Sequence, residues 1–212
     1  MLFSTWLVYA FVALLSIASP GPAILLAVSN SVRYGMRTVV ISSLGNIIGL
    51  FFLSALAMAG VGALLKASAS MFFILKLCGA TYLFYLGIKQ WRSRKSIFTE
   101  LDRAEKKAGL NRIQIFYQAC LLALTNPKAI LFFSALFPQF LSPGRGLLLQ
   151  FMILTFTFMA ISFCSLMTYG LFARYVRKWM AIRQRHVWFN KFFGTVFMFF
   201  GVGMLAMRIT AR

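Results

Sequence analysis

Three stretches of this 212-residue chain, Met1–Val32, Thr38–Leu65 and Gly146–Ala173, contain no charged side chain. Each exceeds the roughly 18 apolar residues that a helix needs to cross a bilayer, a length that a water-soluble core helix has no use for. Hydrocarbon offers no partner for backbone N–H and C=O groups, so such a stretch folds as a helix that satisfies them internally. Composition agrees: 61% of the residues are apolar and 12% charged, against roughly 45–50% and about 25% in soluble domains. An all-α integral membrane protein follows.

Charge and turn signals divide the chain into six expected spans, at about 4–30, 38–65, 70–90, 112–140, 147–173 and 187–208. They leave no room for a soluble catalytic domain, so the function resides in the membrane. The N-terminal stretch lacks a basic leader and outruns a signal-peptide core, so it is expected to stay as a span.

The net charge of +19, from 22 Lys plus Arg and 3 Asp plus Glu, invites a nucleic-acid reading, but the basic residues lie in the connections. Sixteen fall in the 31–37 turn and in the loops at 89–112 and 174–191, whereas Lys66, Arg145, Arg208 and Arg212 are the four on the other side. Cytoplasmic loops collect Lys and Arg, so both termini are expected on the outer, periplasmic side. Trp91, Tyr175, Trp179 and Trp188 border the basic loops, as an interfacial belt would. The positive charge then serves orientation and lipid headgroups, and no nucleic-acid partner is expected.

Glu100, Asp102 and Glu105 all fall in the longest loop, where Thr99 is suited to cap a short helix that Gly109 ends. With carboxylates outside the spans and the one histidine, His186, in a basic loop, no metal site is expected. The same absences argue against an enzyme: no Ser–His pair, no aspartate pair and no acidic cluster for magnesium lies within the spans. Cys78, Cys120 and Cys164 stand singly among apolar neighbours, as small buried hydrophobes do, and no cofactor is implied.

Two spans are interrupted. Ser19-Pro20-Gly21-Pro22 falls in the first and Thr125-Asn126-Pro127-Lys128 in the fourth, each break about 14 residues from the span's start. Proline removes a backbone donor and clashes with the preceding turn, so both helices are expected to kink or unwind. Three spans per half, the second half entering from the opposite face, give two inverted three-helix repeats at about 1–92 and 112–212, joined by a cytoplasmic loop at about 93–111. Breaks at matched places in two such halves point to a transporter's binding site, although a lone Pro kink also serves packing.

Lys128 adds to this. A lysine near the membrane centre costs ~2.5–3.5 kcal/mol on insertion scales, and the spans hold no acid to pair with it. Its partner is then a substrate carboxylate, a cluster of backbone carbonyls or water; otherwise the amine is neutral or snorkels to an interface. Lys76, nearer a span end, reads as a snorkeller. In the second span Gly45 and Gly49 have the spacing of close helix packing, while Asn46, like Asn126, brings an amide suited to a zwitterionic solute.

The motif set resembles the LysE/RhtB family of amino-acid exporters, the LysE-type translocators, over essentially the whole chain. It is carried by Ser19-Pro20-Gly21-Pro22, by Gly45-Asn46-x-x-Gly49, by Lys76-x-x-Gly79-x-x-Tyr82-Leu83-x-x-Leu86-Gly87, and by Asn126-Pro127-Lys128 followed by Pro138-Gln139-Phe140. The resemblance implies a six-helix carrier of the bacterial inner membrane, coupled to the proton motive force, acting as a homodimer and exporting an amino acid or similar small zwitterion. It implies a binding site at Ser19, Pro20, Gly21, Pro22, Asn46, Tyr82, Asn126, Pro127 and Lys128, with Gly45, Gly49 and Gly79 in helix packing. Many members carry an aspartate where this chain has Asn46, which turns the expectation from dibasic to small neutral or polar substrates. The substrate ammonium would then meet carbonyls freed at the breaks, or the face of an aromatic such as Tyr82. Export of another metabolite or of a toxic amphiphile, and a non-transporting scaffold, are the alternatives.

Overall fold

In a computed structural model of the chain, residues 3–19, 21–67, 77, 80, 81, 84, 85, 87–92, 111–142, 146–176 and 183–206 are described. Among them the secondary structure is entirely helical. Helix α1 (Phe3–Ala18) is followed after a short break by α2 (Pro22–Tyr34), and the Gly35 turn leads into α3 (Met36–Ala67). Gly35 has φ +81°, a left-handed conformation that glycine adopts without a Cβ penalty.

The second half begins with α4 (Arg112–Thr125) and α5 (Pro127–Leu131), continues through a π turn (Phe132–Leu136) and a 3-10 turn (Phe137–Phe140), and ends with α6 (Leu147–Leu171) and α7 (Arg183–Ala206). The π turn ends two residues before Pro138, which lies in the 3-10 turn. With no N–H to donate and a ring that crowds the preceding turn, Pro138 cannot continue an α register, and the helix widens before it tightens. Gln150 then secures the following connection, accepting from the Ser142 N–H at 2.9 Å and donating to its carbonyl at 3.1 Å.

Two helices, Met36–Gly60 and Leu147–Leu171, are each long and apolar enough to cross a membrane unbroken. Two bent pairs qualify as broken spans: Phe3–Ala18 with Pro22–Tyr34, at 56°, and Arg112–Thr125 with Pro127–Phe140, at 48°. Both interruptions fall where the prolines predict them. The expected sixth span at 187–208 corresponds to α7, which starts four residues earlier at Arg183 with Arg183, Arg185 and Lys191 in its first turns. The expected third span at 70–90 lies largely outside the described residues, as do Lys76, Gly79, Tyr82, the acidic loop and the capped helix expected at 99–109.

Glycine decides where helices meet. A Cβ on Gly49 would lie 2.5 Å from the Cys120 carbonyl oxygen, and one on Gly45 would run into that of Phe116. The spacing thus sets α3 directly on α4, the two running parallel. Ala80, Phe84, Gly87 and Trp91 meet α7 in the same way: Cβ atoms on Gly194 and Gly201 would lie 2.7 Å and 2.8 Å from the carbonyls of Gly87 and Ala80.

Residues buried on α6 recur at helical spacing, through Phe151, Leu154, Phe158, Ser162, Leu166 and Gly170. Its other side exposes Leu148, Leu149, Ile153 and Phe156, the chemistry of a lipid-facing surface. The interior divides into two clusters. Toward the chain's first residues, Tyr9 is in edge contact with Phe132, Phe137 and Phe140, and its hydroxyl donates to the Leu154 carbonyl at 3.0 Å. Toward the Gly35 turn, Ile24, Ala27, Val28, Val39, Leu166 and Ala173 form a smaller aliphatic cluster. Tyr9→Phe removes one hydrogen bond and keeps the ring contacts, so it should lower stability by about 1 kcal/mol and the detergent-solubilised melting temperature by only a few degrees. An unchanged melting temperature would show that this bond adds nothing.

Candidate functional site

The site is built from the two helix ends that the prolines create. At the first break the Ser19 N–H reaches the Leu15 carbonyl at 3.3 Å, Gly21 is extended, and Pro22 opens α2 at a position where its fixed φ fits and its missing N–H is not needed. The last carbonyls of α1 therefore have no donor from the helix itself. Two side chains from elsewhere serve them. Tyr169 of α6 donates its hydroxyl to the Ala18 carbonyl at 2.9 Å, and Lys128 donates Nζ to the Ser19 carbonyl at 2.7 Å.

At the second break Asn126 caps α5: its Oδ1 accepts the Lys128 backbone N–H at 3.1 Å, and its carbonyl accepts from Ile130 at 2.9 Å. Pro127 takes the first position of the new helix. This turn aims the Lys128 side chain across to the first break, so a single ammonium–carbonyl bond joins the two interruptions. Gly21 lies directly beside it, at a place where even a Cβ would be in ordinary contact with Lys128 Nζ, 3.4 Å away.

A cavity of about 40 Å³ opens beside this bond, enough for a few water molecules and far short of the roughly 300 Å³ at which ligand pockets begin. Its polar wall consists of Ser16, Asn46, Asn126, Lys128 and Ser162, and its apolar wall of Ile17, Ile24, Leu50, Phe158 and Leu166. Lys128 is its one charged residue. Asn46 donates Nδ2 to Ser162 Oγ at 3.2 Å, which sets α3 against α6 across the cavity.

The structure thus brings Ser19, Gly21, Asn46, Asn126 and Lys128 together, with Pro22 and Pro127 shaping the breaks rather than lining the cavity. Gly45 and Gly49 pack α3 on α4. Pro20, Gly79 and Tyr82 lie outside the described residues. Sequence reasoning missed Ser16, Ser162 and Tyr169. Ser162 and Tyr169, seven residues apart, share one face of α6, but α6 also carries Thr155, Thr157, Ser165 and Thr168, and nothing local singles out the two that face the breaks. Among the described residues no group of His, Cys, Asp or Glu is placed to hold a metal ion.

Comparison with known proteins adds a family. The family described as LysE type translocator matches residues 14–208. The chain is 34% identical to the homoserine/homoserine lactone efflux protein of Salmonella typhimurium strain LT2, over 98% of this chain and 99% of that protein. It is also 34% identical to the leucine efflux protein of Salmonella choleraesuis strain SC-B67, over 84% of this chain and 82% of that one. A Vibrio cholerae membrane protein is 35% identical over 94% of this chain. No solved structure matches.

Proposed function

The chain belongs to the LysE type translocator family, a multi-pass membrane transporter and not an enzyme, and from that premise we propose that it exports small neutral or polar amino acids across the bacterial inner membrane. The driving force in this reading is the proton motive force, and both termini lie outside. Six spans in two inverted repeats would bring the matched breaks together by symmetry. The named relatives, efflux proteins for homoserine, its lactone and leucine, support a substrate with an α-amino group and an uncharged side chain.

One observation carries the mechanism: the Lys128 Nζ to Ser19 carbonyl bond of 2.7 Å, with no acid in the cavity wall. A zwitterion fits by inserting into that bond. Its carboxylate takes the Lys128 ammonium, helped by the first amides of α2, which lack intrahelical acceptors and form the positive end of the helix. Its ammonium takes the Ser19 carbonyl that Lys128 gives up. Its side chain faces the apolar wall. A cavity of about 40 Å³ holds no amino acid, so binding has to part the two breaks. Substrate insertion and helix movement then become one event, as alternating access requires.

The test is counterflow in proteoliposomes preloaded with a mixture of amino acids. Transient accumulation of one labelled neutral amino acid inside is the expected result. Flux of a hydrophobic dye with none of any amino acid would replace this reading with amphiphile export, and no flux at all would leave a scaffold.

A further inference from the structure

Two unlike layers flank the cavity, and each contains a buried polar group with nothing to bond. On one side lies the aromatic cluster around Tyr9. On the other, toward the end that carries Arg33, Arg37, Arg112 and Arg174, α2, α3 and α6 pack into a barrier. Ser31 donates to the Gly170 carbonyl at 2.6 Å there, and Val39 packs where a Cβ of Gly170 would be.

Helical periodicity carries the cavity walls into this barrier. On α3, Val39 faces Gly170 and Asn46 faces Ser162, both on α6. These two residues are seven apart and share a face, and Ser43 lies between them at one turn from Val39. On α2, Ala23 and Ile24 line the cavity; Ala27 and Asn30 continue the line of Ala23, and Ser31 that of Ile24. Asn30 is 5% exposed and Ser43 is fully buried, yet Asn30 Nδ2 and Ser43 Oγ have no hydrogen-bond partner. Ser42, the neighbouring hydroxyl, bonds back to the Val39 carbonyl at 3.0 Å, so Ser43 is the exception on its own helix.

Buried donors without acceptors are rare because the desolvation they suffer is not returned. Thr155 Oγ1 on the aromatic side and Ser19 Oγ at the break are also unpaired, but neither lies on the lines of α2 and α3 that run from the cavity to Ser31 and Val39. The Asn30 amide has two donors that no rotation of its own can direct back to a helix carbonyl as easily as a hydroxyl turns its one.

We propose that Asn30 and Ser43 line the passage through which substrate reaches the cavity from the basic-loop side, Asn30 offering its amide to the carboxylate as the solute travels between α2, α3 and α6. In the closed barrier these groups are unpaired; with the barrier open they meet water or solute, which lowers the free energy of opening on that side. The idea rests on the exporter reading above, which makes the cavity the destination.

Its test reads water access rather than transport. Cys78, Cys120 and Cys164 are replaced by Ser, and Asn30→Cys, Ser43→Cys, Ala27→Cys and, for comparison, Thr155→Cys are introduced singly. Ala27→Cys is a small-for-small change on the same line and covers the case in which the polar substitutions fail to fold. Vesicles of known sidedness are treated with a membrane-impermeant thiosulfonate, which reacts with thiolate in contact with water. Labelling of the Asn30, Ser43 or Ala27 position from the basic-loop side alone, faster during amino-acid exchange, is the expected result. Labelling from the opposite side, no labelling of any of the three, or equal labelling of the Thr155 position from the basic-loop side overturns it. Counterflow measured on the same vesicles separates the two ideas: exchange with the wrong labelling side defeats the passage alone, whereas absent exchange defeats the exporter reading.

Discussion

Lys128→Met is expected to leave the protein in the membrane at near-normal yield and to reduce amino-acid counterflow to the background of protein-free liposomes. Methionine keeps the length and the apolar stem of lysine and removes the ammonium. Both roles assigned to that group disappear together: the bond that joins the two breaks at 2.7 Å, and the cation that receives a carboxylate on the polar wall, whose other side chains are hydroxyls and amides. A hydrogen bond to a charged group contributes about 1.5–3 kcal/mol, or a roughly 10- to 150-fold loss of substrate affinity at 1.4 kcal/mol per decade. Insertion should not suffer, because a lysine within a span disfavours it by ~2.5–3.5 kcal/mol and methionine does not.

A methyl ester of the transported amino acid sharpens the experiment. The ester lacks the carboxylate, so the unmodified protein should discriminate strongly against it, and the Lys128→Met protein should treat ester and acid alike. Lys128→Arg should rescue poorly: its broad, planar guanidinium replaces a compact point charge that meets a single carbonyl at 2.7 Å. Full counterflow by Lys128→Met would remove this residue from the mechanism, and discrimination against the ester that survives the substitution would move the carboxylate elsewhere.

What can be read from the residues alone divides by the range of the physics involved. Charge-free runs and proline breaks are local: bilayer thickness and a missing N–H act wherever the residues stand, so the two long apolar helices and the two bent pairs with their interruptions are legible without coordinates. Lys128 and Asn46 stand out for a related reason, since each is costly in an apolar segment and so implies a partner. The partner's identity is not local. That Lys128 ends on the Ser19 carbonyl, 109 residues away, depends on how two broken helices cross, and that Tyr169 rather than another hydroxyl of α6 serves the Ala18 carbonyl depends on the rotation of α6 against α1. Ser162 was hidden among similar hydroxyls for the same cause. The π turn at Phe132–Leu136 lies between these extremes: Pro138 announces a disturbance, but not whether the preceding turn widens, kinks or ends.

Gly45→Ala should be among the most damaging single-atom additions to this chain, and Gly60→Ala, on the same helix, should do no harm. At Gly45 the new methyl would run into the Phe116 carbonyl oxygen of α4 and would lie 3.2 Å from the Phe116 Cα. Every atom in its path is backbone, so no rotamer change relieves the collision and α3 and α4 must separate. The separation would not stay local. Gly49, one turn on, brings the same helices together, since a Cβ there would lie 2.5 Å from the Cys120 carbonyl oxygen, and Asn46 between them sets its amide on Ser162 across the cavity. Overpacking a tight interface costs about 1–3 kcal/mol and occasionally more; with backbone on both sides, about 3 kcal/mol is expected, and with it a falling yield of monodisperse protein in detergent. At Gly60 nothing lies within 4 Å, so alanine meets open space and gains the roughly 0.5–1 kcal/mol that glycine loses in a helix interior. Paired melting curves decide the matter: a Gly45→Ala protein as stable as its Gly60→Ala counterpart would mean that α3 and α4 are not in the contact that positions the cavity.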